Sequence, residues 1–313
     1  MNISKNLFNR KPNWLVKKKD VALNREMKQL LREHNLHTVC ESASCPNISE
    51  CFSQNTATLM VLGDICTRNC RFCGVEKGNP KQIDIAEPDN IVNVIEKLNL
   101  KYIVLTMVTR DDLPDGGAEH FSNVVKNIRQ RFNTDDDVFI EILTSDFFSK
   151  QYLNDFKNYE KDLDGYILKL VDSGINVFGH NIETVENVYP KVRTIAEYKR
   201  SLNFLQTVKK NHKNIIVKTG IMLGLGEKFD EVKNTMKDVF ATGCDILTIG
   251  QYLMPSLNHY KVEKYLTVEE FDEYKAVALE IGFKAVESGP FVRSSYKAKE
   301  LYESLNKSER EIL

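Results

Sequence analysis

Six of the chain's seven cysteines lie between positions 40 and 73, and this crowding constrains fold and chemistry more than any other feature. An odd total and such tight spacing argue for metal ligation in a reducing compartment rather than for disulfides. The six form two triads. Cys66, Cys70 and Cys73 have the spacing C-x3-C-x2-C within GDICTRNCRFCGV, and Cys40, Cys45 and Cys51 have C-x4-C-x5-C within VCESASCPNISECF. Iron in a cluster is soft and prefers thiolate sulfur, so closely spaced cysteines can each take a corner of a [4Fe-4S] cube. Three cysteines for four irons leave one iron open to a small molecule, as catalytic zinc sites leave one position open. Zinc itself is the competing reading of both triads. Against it, zinc usually takes four ligands in paired knuckles, and neither a second C-x2-C nor a His-x3-His completes the first set.

The rest of the chain is built to surround such a site. From about position 58 onward, short β-branched runs alternate with longer helical patterns, the signature of βαβ units and a parallel sheet. Strands are expected at 58–62, 102–108, 138–143, 175–178, 215–221 and 246–249. Helices are expected at 90–98, 118–132, 149–159, 195–210 and 229–242. Six such strands suggest an α/β fold with a partial (β/α)6 barrel, with a doubly wound sheet as the competing architecture. At 313 residues with 42% hydrophobic content, one large core is affordable within a single barrel domain. The expected division is an N-terminal extension with a cysteine loop (1–55), the barrel (56–266) and a C-terminal extension (267–313). The flanks contain helical runs at 21–33, 268–281 and 296–305 and a short strand near Ala285.

A formal net charge of −1 excludes bulk electrostatic attraction to nucleic acid or an anionic membrane. No stretch approaches a membrane span, and the first residues lack the apolar core of a signal peptide; the expected location is cytoplasmic. Charge is uneven only near the start. Lys5, Arg10, Lys11, Lys17, Lys18 and Lys19 face one acid, Asp20, and read either as a solvated arm or as a docking element for an acidic partner.

The first triad, with Phe72 before its last cysteine and a position directly after a strand, resembles the radical S-adenosylmethionine (SAM) superfamily. The second triad, upstream of the barrel, closely resembles the auxiliary-cluster motif of lipoyl synthases. KPNWL, RDDLPDGGAEHF, VFGHNIETV, KTGIMLGLGE, LTIGQYLMPS and RSSY follow in that family's order over nearly the whole chain. The resemblance implies two [4Fe-4S] clusters and SAM as cofactors. The open iron of the first cluster would bind SAM, and its reductive cleavage would give a 5′-deoxyadenosyl radical. Two sulfur atoms would then enter C6 and C8 of a protein-bound octanoyl-lysine, with the auxiliary cluster as sulfur donor. Implied partners are octanoylated lipoyl-carrier domains (2-oxoacid dehydrogenase E2 subunits and the glycine cleavage H protein), a flavodoxin or ferredoxin as reductant, and an iron-sulfur carrier protein. Neither nucleic acid nor membrane is implied.

The resemblance also assigns residues. The auxiliary cluster's fourth ligand falls on the RSSY serines, Ser295 with Ser294 as the alternative; an isolated Ser-Ser before a helical run is otherwise a helix N-cap. Gly116 and Gly117 would let backbone approach SAM, although Gly-Gly is more often a turn. Gly224 lies on the glycine-bearing strand end that would meet the adenine. Asn181 and Arg193, after the fourth strand, are candidate SAM or substrate contacts or else a satisfied polar pair. Glu141 alternates inward on the third strand, where a carboxylate needs a partner, and SAM is a candidate. Cys244 reads as a small buried hydrophobe. Other sulfur-inserting radical SAM enzymes, biotin synthase-like or methylthio-transferring, are the nearest alternative activities. A non-enzymatic iron-sulfur or zinc module is a more distant one.

Overall fold

The computed structural model describes residues 11–17, 20–53, 56–133 and 138–310. Among the described residues there are ten strands: β1 (His37–Thr38), β2 (Thr58–Val61), β3 (Ile65–Cys66), β4 (Glu76–Lys77), β5 (Tyr102–Met107), β6 (Phe139–Leu143), β7 (Val177–Gly179), β8 (Ile216–Leu223), β9 (Ile246–Gln251) and β10 (Ala285–Gly289). Eight of them form one sheet in the order β1-β2-β5-β6-β7-β8-β9-β10, and β3 pairs with β4 in a separate two-residue ribbon. All pairs in the large sheet are parallel except β1 with β2. The helices are α1 (Val21–Glu33), α2 (Val39–Ser42), α3 (Ile48–Ser53), α4 (Glu87–Leu98), α5 (Ala118–Arg131), α6 (Phe156–Asp172), α7 (Tyr189–Val192), α8 (Tyr198–Asn211), α9 (Phe229–Ala241), α10 (Val268–Ile281) and α11 (Ala298–Arg310).

The six expected strands thus stand in one parallel sheet, and the flanks add one strand at each edge. Strands covered on both faces read as continuous apolar runs, which is why TLMV of β2 is buried at every position. One face, carrying Ile103, Leu105, Ile140, Ile142, Leu247 and Ile249, packs against the surrounding helices. The other face closes on α11. Ala298 and Tyr302 pack with Tyr102, Phe139 and Val177, while Leu301 and Leu305 pack with Ile246 and Ala285. Those contacts run from β5 to β10, five strand spacings or about 24 Å in a flat sheet. One helix can reach all of them only if the sheet curls round it, so the sheet is an open barrel plugged at its lower end by α11.

Two expectations are corrected. The helix expected at 149–159 is a short 3-10 turn at Lys150–Tyr152 followed by α6. Asp155 sets the true start, because its carboxylate accepts from the Asn158 N–H at 3.3 Å; the buried stripe Tyr159, Leu163, Ile167 and Leu170 then carries the helix on to Asp172. The expected cysteine loop is also more ordered. Cys40 lies on α2, N-capped by Thr38, and Cys51 on α3. Among the described residues no helix is long and apolar enough to cross a membrane.

Candidate functional site

The first triad sits at the upper end of β2, where the chain turns sharply. Leu62 and Gly63 both have positive φ (71° and 89°), an arrangement needing outside support for a non-glycine residue. Glu87, buried at the start of α4, supplies it by accepting from the N–H groups of Leu62 and Gly63 at 3.0 and 3.3 Å. His120 Nε2 lies 2.7 Å from the same carboxylate. Between the first two cysteines, Arg68 is 3% exposed and binds Asp111, Asp146 and the Phe148 carbonyl. Asp146 also holds Arg200 at 2.9 Å. Burial alone would raise the Asp146 carboxyl, yet the two guanidinium groups hold it well below the usual carboxylate range. The cysteine loop is therefore tied to the barrel by a completed buried charge network.

The second triad is assembled from distant segments. Asn47, between Cys45 and Cys51, donates to the Phe291 carbonyl at 2.7 Å. Thr58, the first residue of β2, hydrogen-bonds the Cys40 sulfur and has its hydroxyl 2.8 Å from Ser295 Oγ. Tyr296 donates to Glu50 at 3.0 Å, and half-buried Arg293 lies within charge range of Cys45. Glu50 also pairs with Lys17, whose ammonium stands over the Phe291 and Tyr296 rings. Lys17 is thus engaged inside the molecule rather than held out to a partner; Lys5, Arg10, Lys18 and Lys19 lie outside the described residues.

The two triads meet. A Cβ on Gly74, next to Cys73, would stand 3.0 Å from the Ser42 carbonyl and 3.4 Å from Ala43 Cα, both between Cys40 and Cys45. Among the described residues no group of three or more His, Cys, Asp or Glu side chains is arranged to hold a single metal ion. Each triad instead offers thiols at separate points that feel one another's charge. Burial pushes Cys73 up to about 12, with Cys70 and Cys66 adding to the rise. Burial likewise raises Cys51 to about 12 and Cys40 to about 11, and neighbouring cysteines add to both. Thiols in such surroundings become thiolates only with a strongly cationic partner among them. Three soft thiol donors in each set fit the corners of an iron cluster.

Between the triads lies a polar group inside the barrel. Asn181 Nδ2 donates to Ser294 Oγ at 2.7 Å and to Glu183 Oε1 at 3.2 Å. Arg193 donates to the Asn181 carbonyl at 3.1 Å and to Tyr189 OH at 2.6 Å. Its buried Nε has no partner among the described residues. Glu183 has φ of 70°; burial raises its carboxyl against the pull of Arg193, and it lies within charge range of Cys70 and Cys73. The sequence reading brought Asn181 and Arg193 forward but missed Glu183, Arg68, Thr58 and Glu50. Position alone could have flagged Glu183, two residues after Asn181 beyond a barrel strand, and Arg68, enclosed by cysteines.

The remaining candidates are placed as follows. Glu141, 2% exposed, accepts from Lys218 Nζ at 2.7 Å and Tyr102 OH at 2.6 Å, so its needed partner comes from the protein. Gly116 and Gly117 have φ of 60° and 94°, and side chains there would strike Phe147 and Leu62. Gly224, φ 100°, would strike Gln251 and the Lys264 carbonyl. At all three positions a positive φ and close packing exclude a side chain. Cys244 is 2% exposed in the core.

Comparison with known proteins places this geometry. A family model, the Radical SAM superfamily, matches residues 60–239. A lipoyl synthase of Caldicellulosiruptor saccharolyticus is 47% identical over 292 residues, 93% of this chain and 97% of that protein. One from Buchnera aphidicola subsp. Schizaphis graminum is 47% identical over 291 residues, 92% of this chain and 86% of that protein. Among solved structures, a maturase of the [FeFe]-hydrogenase matches with TM-score 0.51 and 15% identity, covering 96% of this chain and 71% of that one. Methylornithine synthase matches at 0.50 and 14%, covering 87% and 80%; these likenesses speak to the fold. Cysteine triads, barrel and relatives agree that the chain belongs to the lipoyl synthase family of the radical SAM superfamily.

Proposed function

We propose that this chain inserts two sulfur atoms at C6 and C8 of an octanoyl chain carried on a lysine of a lipoyl-carrier domain. One observation carries the reading. The loops of two thiol triads touch at Gly74 and Ser42, with the RSSY turn reaching into the barrel between them. Cys66, Cys70 and Cys73 would hold one [4Fe-4S] cluster with an iron left for SAM. Cys40, Cys45, Cys51 and Ser295 would hold the second. When bound, these groups supply reductive cleavage of SAM to a 5′-deoxyadenosyl radical and a source of sulfide.

The protein's own part is positioning and exclusion of water. Ser295 is favoured over Ser294 as the ligand because Thr58 links its hydroxyl to Cys40, whereas Ser294 is turned to Asn181. Asn181, Glu183 and Arg193 form a mixed-charge surface facing Cys70, suited to the amino and carboxylate ends of SAM. Below them the Glu141–Lys218 pair and α11 close the floor, so a radical formed above is shielded from solvent on that side. The 2-oxoacid dehydrogenase E2 subunits and the glycine cleavage H protein are the proposed carriers. Flavodoxin or ferredoxin is the proposed reductant, and an iron-sulfur carrier would restore the second cluster.

The test is anaerobic reconstitution with iron and sulfide counted per chain, then reduction with SAM and an octanoyl-lysyl peptide. About eight irons, deoxyadenosine and a peptide heavier by two sulfurs are expected. Deoxyadenosine with no sulfur added to the peptide would overturn the reading.

A further inference from the structure

The two serines of the RSSY turn face different ways, and only one is used by the reading above. Ser295 Oγ meets Thr58 on the auxiliary side, while Ser294 Oγ accepts from Asn181 Nδ2 at 2.7 Å. Asn181 reaches in turn toward the first triad. Its amide also donates to Glu183, its carbonyl accepts from Arg193, and both of those side chains lie within charge range of Cys70. Space for the pair comes from Gly220, which has no positive φ yet could not carry a side chain. A Cβ there would stand 3.0 Å from Asn181 Oδ1 and 3.3 Å from Ser294 Oγ.

Resting on the proposed function, we infer that Ser294 is a positioning residue that couples the two half-sites. Through Asn181 it locks the serine-bearing turn to the side where SAM is cleaved. Among the described residues the turn is also held from the auxiliary side, through Asn47, Thr58 and Glu50, and by its own strand end, where the Val292 carbonyl packs against Gly250. Without the Ser294 bond, the register between the radical and the sulfur source loosens while each half-site keeps its own ligands. A near-attack geometry between two bound groups is sensitive to shifts of about 1 Å.

The test uses the holoenzyme with S294A. Iron should remain at the wild-type count, and the melting temperature should fall by no more than the few degrees that one neutral hydrogen bond is worth. Deoxyadenosine formed per lipoyl product should rise about fivefold, the weight of one neutral hydrogen bond, and amide exchange across 290–297 should quicken. An unchanged ratio in S294A, with wild-type enzyme making product normally, overturns this inference alone. Wild-type enzyme that makes deoxyadenosine but no product overturns the functional reading instead. Loss of about half the iron in S294A but not in S295A would exchange the roles of the serines and overturn the inference too.

Discussion

The loops that carry the two cysteine triads touch, but they are held by different means. The first rides on charge. Arg68 and Asp146 are 3% and 0% exposed, and Asp111 and Arg200, which share their network, are buried as well. The second is gathered from α2, α3, the start of β2 and the 291–296 turn by side-chain hydrogen bonds through Asn47, Thr58 and Tyr296. A neutral bond contributes about 0.5–1.5 kcal/mol, whereas leaving one member of a buried ion pair unpaired costs about 3–5 kcal/mol. The first site can therefore be disturbed only by disturbing the barrel, while the second can open by releasing a few weak contacts. That asymmetry suits a reaction in which one cluster is permanent and the other is dismantled and rebuilt.

The sharpest way to break the comparison is to remove one ligand from each side. Cys70→Ala should abolish both deoxyadenosine and lipoyl product. Cys45→Ala should keep reductive SAM cleavage and lose sulfur insertion. Lipoyl product from the Cys45 variant would sink the sulfur-donor role and, with it, the functional basis of the asymmetry.

Next in size is the charge network itself. Asp146→Asn keeps the volume but removes the carboxylate that Arg68 and Arg200 share, leaving Arg68 to Asp111 and Arg200 to Glu197, and it should destabilise the chain by about 3 kcal/mol. Chemical denaturation would measure this, with iron lost from the first triad on the same transition. Retention of that iron through unfolding of the barrel would show that the loop does not depend on the network.

The sequence made one half of this comparison much more legible than the other. Spacing alone marked both triads, and apolar runs marked the six barrel strands, because ligand count and strand periodicity are local properties. What spacing could not reveal was reach. Thr58 and Ser295 are 237 residues apart, and Asn47 and Phe291 are 244 apart; no local pattern announces such pairs. Glu141 shows the same limit in reverse. Its inward direction was readable from strand alternation, but its partner Lys218 lies two strands away in the sheet, visible only once the barrel had curled. The error at 149–159 was local, since an Asp N-cap and a 3-10 turn were read as continuous helix.

A third prediction separates the two sites by pH. His180, 1% exposed, has Nδ1 3.0 Å from the Thr144 carbonyl and Nε2 3.0 Å from Ser201 Oγ. A carbonyl only accepts, so Nδ1 carries the proton and Ser201 donates to Nε2. Ser201 then meets Tyr189, which receives Arg193; the chain of bonds reaches the first site through Arg193. Burial pushes His180 from 6.5 down to about 4. The unfolded chain thus binds a proton between those values that the folded chain does not. The stability from neutral His180 is fully present above pH 6.5 and is lost as pH falls to 4, by up to about 3 kcal/mol. His180→Gln should flatten the stability profile within that window. A variant with the wild-type slope would mean His180 is already charged in the fold.

The smallest effect should fall on the looser site. Tyr296→Phe removes the hydroxyl that donates to Glu50 but leaves the ring beside Lys17. Global stability should change by about 1 kcal/mol or less, because the bond is partly exposed. Its consequence should be local: with a chelator present, the auxiliary iron should leave several times faster in the variant, while the iron of the first triad leaves at the wild-type rate. The two pools can be told apart in a Cys45→Ala background, which retains only the first. Equal acceleration of both pools would mean that the sites open together through the barrel. If only the auxiliary pool quickens, the second site opens on its own few, partly exposed side-chain bonds.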